Sequence, residues 1–439
     1  MIEIFIKLIF FFIIISSNGI ILGKLIFKNQ FDILNIFEYS IIGLIFTGFL
    51  SLILNFFFPL NNFIIISNFI FSICFIYIKR KNLKFIYNIR PTIFIILVFA
   101  LTILNIYASG FSDDLNHYHG GSIINSDNGP YIIGSNLFHH HYGYSSIWLI
   151  LHSYLNFNET FLQDIHILNG LIFFATISYF THELHRVKKN FDKSSLILIS
   201  SAFLFFFLIK YTRLKEFGID RPGILIFCFL IYFFFKYQNF LNLEKYKIKF
   251  LFILSFIVLF LFSIKLIFII SFTIPLIYFF HSKSFNFFFT KFFFLLLILF
   301  SLVILKNFLI SGCFIYPIAI TCISEVAWNS KIIAQDLIVG AELLYKSFNL
   351  YEGKLNANDY IKHLNWFFTW LPKNIEELSN YLITSVAVIF LILISFKLEK
   401  NSNSQKNIVF FTISILLILY LLLFNKSPVF RFHHMLFIL

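Results

Sequence analysis

Two adjacent carboxylates, Asp113 and Asp114, begin the most polar stretch of an otherwise apolar chain, residues 110–157. The stretch also carries histidines and turn-forming Gly, Pro and Asn residues, and it contains no Lys or Arg. Because adjacent carboxylates repel and desolvation favours protonation, such a pair is a candidate general base for an alcohol. The alternative is a solvated loop start or a helix cap.

The histidines of the same stretch could bind a metal ion. His117 and His119 form an H-x-H pair, and His139, His140 and His141 follow as a run. With the aspartates, they offer nitrogen and oxygen ligands for Zn²⁺, Mn²⁺ or Mg²⁺. The spacing matches no defined ligand motif, so a polar loop lining a substrate cavity is the alternative. The sequence thus predicts a divalent metal ion only as a candidate cofactor, with His117, His119, His139 and His141 as the candidate ligands.

A membrane must position these residues. Hydrophobic residues make up 59% of the chain, charged residues 13%, and the mean hydropathy is +0.87. This composition does not fit a soluble globular protein, and we predict an all-α polytopic membrane protein in contact with the lipid bilayer. The net charge of +13 does not indicate nucleic acid as a partner, because its distribution among loops matters more than its sum.

Apolar runs of suitable length predict about twelve transmembrane helices. Their approximate bounds are 2–22, 40–58, 63–78, 91–108, 165–182, 194–209, 223–235, 250–264, 266–280, 292–310, 381–396 and 408–424. The first run lacks a small-residue cleavage pattern and is therefore interpreted as a span, not as a removed signal peptide. A further apolar run begins after His434, just before Leu439, so we expect either that the sequence is a fragment or that its last span is missing.

Basic clusters orient the spans. The loops at 79–90 and 186–193 are rich in Lys and Arg, as are 236–249, 283–291 and 397–406, which assigns all of them to the cytoplasm. Between the first two clusters, the spans 91–108 and 165–182 supply the even number of crossings required. The run 145–157 is too short to span, and we predict an interfacial helix there, anchored by Tyr144 and Trp148. Ser145, His152 and Asn156 would form its polar stripe.

The same alternation places the loop 110–164, the link 211–222 and the segment 311–380 outside. Positive charge is disfavoured on this face or between two short spans, yet basic residues occur there: Arg213, Lys215, Arg221 and Lys265. Guanidinium and ammonium groups bind phosphate through charge-assisted hydrogen bonds, so we predict a bound anion. Snorkelling towards lipid headgroups is the alternative. Cys313 and Cys322 could form a disulfide if their segment is extracytoplasmic.

The order of these features resembles the GT-C superfamily of membrane glycosyltransferases. Within it, the sequence is most similar to a bacterial multipass family related to protein mannosyltransferases and aminoarabinose transferases. The first loop of that family reads approximately YDxxxYH, then GxxN, then GxxSSW. Asp114, Tyr118 and His119 match the first part here, Gly134 with the nearby Asn136 corresponds to the second, and Gly143, Ser146 and Trp148 match the third.

Further motifs follow in the family's order. The residues that match them are Glu216, Asp220 and Pro222; Lys265; Ser311, Gly312, Tyr316 and Pro317; and Pro428, Arg431 and Phe432. Each motif is weak alone, and their shared order from Asp113 to Phe432 carries the resemblance. The sequence departs where the family has an Arg in the first loop, because a histidine of 139–141 stands there. It departs again at Ala327, which replaces an acid.

The resemblance implies transfer of a sugar from a polyprenyl-phosphate donor to a glycan, lipid or protein acceptor. The site would face outward from the bacterial inner membrane, in cell-envelope glycan or glycolipid synthesis. Asp114, with Asp113 as substitute, would be the catalytic base. The expected substrate-binding residues are Tyr118, His119, Arg213, Glu216, Asp220, Lys265, Tyr316 and Arg431, of which Arg213, Lys265 and Arg431 would stabilise the leaving phosphate.

We expect four regions along the chain. They are N-terminal spans at 1–90, a catalytic module at 91–310 containing the loop 110–164, an external region at 311–380 and C-terminal spans at 381–439. A transporter or lipid flippase is one alternative, since intramembrane charges can line a pathway. A polysaccharide polymerase or ligase is another, and a structural subunit without chemistry is a third.

Overall fold

The computed structural model describes residues 1–28, 34–79, 92–108, 110, 114–155, 166–188, 218–237, 244–362, 364–376 and 378–379. Over these ranges the chain is all-helical and forms no β-strand; its one named bridge joins Cys313 and Cys322. The α-helices are α1 (Ile2–Phe27), α2 (Ile36–Asn55), α3 (Asn62–Lys79), α4 (Thr92–Tyr107), α5 (Gly120–Asn128), α6 (Ile147–Tyr154), α7 (Ile167–Lys188), α8 (Asp220–Tyr237), α9 (Glu244–Ile264), α10 (Thr273–Ser282), α11 (Lys291–Ser311), α12 (Lys331–Tyr345) and α13 (Ala357–Ile361).

Within the described ranges, four helical segments are long and apolar enough to cross a membrane: Ile2–Phe27, Ile36–Asn55, Tyr246–Ile264 and Lys291–Ser311. Shorter apolar helices occur at Asn62–Ile78, Ile93–Tyr107 and Leu266–Ser282. The predicted spans up to residue 182 and between 223 and 310 fall largely on described helices. Residues 266–272 form a 3-10 segment, and residues 91 and 165 lie outside the described residues. The predicted spans at 194–209, 381–396 and 408–424 lie outside the described residues, so the total of about twelve stays a prediction.

The chain folds as two units that are described separately. The first unit comprises residues 1–132 and 145–303, and the second comprises 133–144 and 304–439. The predicted external loop 110–164 therefore contributes to both units. Its central part, 133–144, packs with the segment that follows α11.

Close helix packing in the first unit depends on glycine. A Cβ atom on Gly43 of α2 would meet the Ile15 carbonyl and the backbone of Gly19 in α1. The two backbones therefore touch, as small residues allow between membrane helices. Beside this contact, the Asn18 side chain donates to the Thr47 hydroxyl at 2.9 Å.

A buried charge network joins one end of α2, α7 and α8. Lys236 donates to Glu38 at 2.7 Å and to Glu183 at 2.8 Å. The Tyr237 hydroxyl donates to Glu38 at 2.9 Å, and Asn35 donates to Glu183 at 3.1 Å. The predicted alternation of spans also requires these three helix ends to share a side. Lys236, however, is a buried partner of two carboxylates and not part of a solvated basic loop.

The predicted helix within 145–157 is present as α6, but its predicted environment is wrong. All of its residues from Ile147 to Tyr154 are buried, on both faces of the helix. His152, assigned to an exposed polar stripe, is among them. Trp148 is not an interface anchor, because it is buried and its indole N–H donates to Asn169 at 2.9 Å. Packing against α2 and α5 therefore replaces the predicted contact with the membrane surface.

Candidate functional site

Asp114 begins a continuous helical run that leads through a π-helical turn, Leu115–His119, into α5. Its side chain is exposed and makes no capping hydrogen bond, so the interpretation as a helix cap is not supported. The turn buries Leu115 and His119 while Tyr118 stays half-buried, with the Tyr118 and His119 rings 4.3 Å apart. Single π-turns recur at functional sites because the extra residue redirects the side chains that follow.

Asp220 and Lys265 form an ion pair between the start of one helix and the end of another. Asp220 is the first residue of α8, and Lys265 follows the last residue of α9 and precedes the 3-10 segment Leu266–Phe272. The Lys265 ammonium lies 2.5 Å from the Asp220 carboxylate, with side chains 28% and 25% exposed. Close by on α8, Gly223 lies against the Phe268 ring, which an added Cβ would meet. The resulting ammonium is fixed in position yet remains partly accessible to an anion.

Several predicted site residues lie outside the described residues. They are Asp113, Arg213, Lys215, Glu216 and Arg431. Arg221, by contrast, is the second residue of α8 and is half-buried beside Asp220. The part of the predicted site that the structure describes in the first unit thus comprises Asp114, Tyr118, His119, Asp220, Arg221 and Lys265.

Behind the helix that carries Asp114 lies a buried histidine cluster that the sequence did not predict. His119, His152 and His166 are each buried, and they come from three different elements. Burial lowers the pKa of His152, and the neighbouring His166 and His119 lower it further, whereas a hydrogen bond that the imidazole donates to the Asn169 side chain raises it. The imidazole of His152 is therefore neutral at pH 7. The only feature of the sequence that could have indicated the burial of His152 is that it is a polar residue within an apolar run.

In the second unit, three of the sequence motifs come together. The buried Tyr316 hydroxyl donates to the carbonyl of His140 at 3.0 Å, across 176 residues of sequence. The Gly143 N–H donates to the buried Asn136 side chain at 2.9 Å, and a Cβ on Gly143 would collide with both Asn136 and Tyr316. Burial raises the pKa of Tyr316 to about 12, so its hydroxyl remains a donor at neutral pH. A disulfide joins Cys313 to Cys322 beside this contact, as the sequence allowed for an extracytoplasmic segment.

The three consecutive histidines converge in the second unit. Their ring centroids lie 4.8 Å apart for His139 and His140, 4.1 Å for His140 and His141, and 5.2 Å for His139 and His141. Among the described residues, they are the one group of three or more potential ligands suited to a metal ion, with ligand atoms within 4.8 Å of one another. This group includes His140 and omits His117 and His119, so it differs from the predicted set.

Sequence reasoning also missed buried charge inside the helices. Glu38, Glu183 and Lys236 form the network described above, and Lys306 is buried near the end of α11. Each is an ionisable residue in an apolar run, and such residues face the protein interior or a cavity. The sequence therefore indicated that these residues are special. It did not indicate which of them pair, because residues so far apart in sequence become neighbours only through packing.

Comparison with known proteins places the whole chain in one family. The family model described as "Domain of unknown function (DUF8201)" matches residues 1–438. No curated protein and no solved structure matches the chain.

Proposed function

We propose that this chain, which belongs to the DUF8201 family, is a membrane-embedded glycosyltransferase of the GT-C type. It would move a sugar from a polyprenyl-phosphate donor to an acceptor hydroxyl on the extracytoplasmic face, in synthesis of cell-envelope glycans or glycolipids. The acceptor is a glycan, a lipid or a protein. Asp114 takes the acceptor proton, or Asp113 does so in its place, and the lipid phosphate leaves from the anomeric carbon.

The ion pair between Lys265 and Asp220 is the observation that carries this proposal. A leaving phosphate gains negative charge, and a fixed cation beside it stabilises that charge more than a mobile one can. Asp220 holds the Lys265 ammonium in place without burying it. Arg213 and Arg431 would complete the anion site. Glu216 would assist Asp220 in holding these cations.

The exposure of Asp114 also supports the proposal. A general base must reach the hydroxyl that it deprotonates, and a carboxylate committed to a helix cap could not do so. Asp114 makes no such cap, and the neighbouring Tyr118, which is half-buried, supplies a ring surface against which a sugar can pack. His119 is buried, and its ring, 4.3 Å from that of Tyr118, would support Tyr118 from behind. Tyr316, in the second unit, keeps its place as a proposed substrate contact. No protein nucleophile is required for direct displacement at the anomeric carbon.

The buried network of Glu38, Lys236 and Glu183 favours a second candidate, a transporter or lipid flippase. Charged residues inside membrane proteins often mark ion or proton pathways. In this chain the network is satisfied by direct hydrogen bonds from Lys236, Tyr237 and Asn35. That arrangement suits a structural clamp between helices better than a site that loads and releases an ion.

A transfer assay tests the proposal. Full-length protein in detergent is given polyprenyl-phosphate sugars and extracted acceptors, and labelled product is measured for wild type, Asp114→Asn and Lys265→Gln. We expect Asp114→Asn to lower the rate by roughly 10²–10⁴-fold, the usual contribution of a general base. Glu352→Gln, at an exposed acid, is the matched control and should leave the rate unchanged.

Two outcomes would contradict the proposed roles. If folded Asp114→Asn transfers sugar at the wild-type rate, Asp114 is not the base. If the wild type transfers no sugar but moves a lipid-linked sugar across a vesicle bilayer, the flippase is the correct function. Lys265→Gln should reduce the rate in the first assay without altering the elution volume of the protein.

A further inference from the structure

We propose that His139, His140 and His141 bind one divalent transition-metal ion of the zinc type through three imidazole nitrogens. This site lies in the second unit, and the inference does not depend on the proposed sugar transfer. The three rings are within 5.2 Å of one another by centroid, and their ligand atoms lie within 4.8 Å. Nitrogens around a tetrahedral Zn²⁺ ion lie roughly 3.4 Å apart, so modest side-chain rotation would close the site.

The backbone that carries these rings is fixed before any metal arrives. The Tyr316 hydroxyl holds the His140 carbonyl at 3.0 Å, and Asn136 holds the Gly143 N–H at 2.9 Å. The Tyr142 N–H donates to the His139 carbonyl at 2.9 Å, which closes the turn. A run of histidines in a flexible segment would lose conformational entropy on binding a metal, and this turn has already lost most of it.

The ligand chemistry selects the metal. Residues 128–158 contain no carboxylate, so the local donors are imidazoles only. Imidazole suits Zn²⁺, Cu²⁺ and Ni²⁺, whereas Mg²⁺ and Mn²⁺ prefer oxygen ligands. The Mn²⁺ and Mg²⁺ alternatives from the sequence therefore do not apply to this cluster. Zn²⁺ binds the neutral form of the imidazole.

Three protein ligands leave one tetrahedral position open. Structural zinc sites are closed by four protein ligands, whereas sites that bind water or a substrate oxygen have three. His140 is exposed and its two neighbours are half-buried, so the open position faces solvent. A hydroxyl or phosphate oxygen is the class of ligand that could occupy it.

Metal content tests the site directly. Full-length protein is purified with a tag that contains no histidine, stripped with a chelator, given Zn²⁺ and desalted. Wild type should retain about one Zn²⁺ per chain, and His140→Ala should bind at least ~10-fold more weakly, since even losses outside the ligand shell cost that much. His281→Ala, at an exposed histidine of α10, is the matched control and should bind as wild type does.

A spectroscopic measurement separates this site from adventitious binding and from misfolding. Co²⁺ in place of Zn²⁺ should give the intense visible absorption of a tetrahedral site in wild type and His281→Ala, but not in His139→Ala or His141→Ala. Metal-free variants should match wild type in thermal unfolding. Equal zinc retention by wild type and His140→Ala overturns the proposal. Loss of zinc in His117→Ala with retention in His140→Ala would instead support the ligand set predicted from sequence.

Discussion

At the scale of single residues, Lys265 and Asp220 were both predicted to serve one site, and they form an ion pair. The order of motifs along the chain could indicate that they belong together, because each stands at the end of an apolar run. The distance between them could not be read from the sequence, since 45 residues separate them. Tyr316 and His140 illustrate the same point across 176 residues.

His152 makes stability depend on pH. Its pKa is lowered in the folded state by burial and by the neighbouring His166 and His119, whereas an unfolded chain has the ordinary value of about 6.5. Below that pH the unfolded state therefore binds more protons than the folded state. The free energy of unfolding should fall as the pH is lowered from 7, by up to about 1.4 kcal/mol per pH unit for this group.

Thermal unfolding in detergent between pH 7 and pH 5 measures this dependence. The comparison is between wild type and His152→Gln, which keeps a polar group in the site but does not titrate. The variant should be less stable at pH 7 and should lose less stability on acidification than wild type. Identical slopes for the two proteins would show that His152 does not contribute.

At the scale of elements, hydropathy alone located the apolar helices, including α1, α2, α9 and α11. Burial in lipid and burial in protein demand the same apolar side chains, so the method identifies the helix without identifying its neighbours. The helix α6 shows the consequence. Its polar stripe through His152 indicated a membrane-surface helix, but His152 packs inside the first unit, next to Asn169. Asn156, the last residue of the stripe, lies outside the described residues. Nothing in the sequence around Asn169 indicated that it contacts α6.

The contact between α1 and α2 can be tested with a pair of glycine substitutions. Gly43→Ala should destabilise the protein by roughly 1–3 kcal/mol, because its Cβ meets the backbone of α1 and overpacking has this cost. Gly340→Ala lies in the middle of α12, where an added Cβ meets nothing within 4 Å. It should stabilise its helix by about 0.5–1 kcal/mol, the difference in helix propensity.

Thermal unfolding of both variants in the same detergent provides the measurement. The two substitutions are chemically identical, so opposite signs isolate the close approach of α1 and α2. A Gly43→Ala variant as stable as wild type would mean that these backbones do not touch.

At the scale of the whole molecule, the positive-inside rule predicts which face each loop occupies. The network of Lys236, Glu38 and Glu183 agrees with it in bringing the ends of α8, α2 and α7 together. The disulfide between Cys313 and Cys322 is compatible with the predicted external placement of the segment 311–380, since cytosolic thiols are kept reduced. Neither observation depends on the proposed reaction, so the orientation can be tested separately from activity.

Cysteine labelling in intact cells tests the orientation. Cys74 is exposed and would be replaced by Ser, whereas Cys228 is buried and can stay. In that background we expect Lys354→Cys, at an exposed position of the predicted external segment, to react with a membrane-impermeant maleimide. His281→Cys, beside the basic residues at 283–291, should react only after permeabilisation. Cys313 and Cys322 should add label only after reduction. If the cysteine at position 281 but not the one at position 354 is labelled in intact cells, the orientation is the reverse of the predicted one. The proposed site would then face the cytoplasm, and transfer on the external face would be excluded.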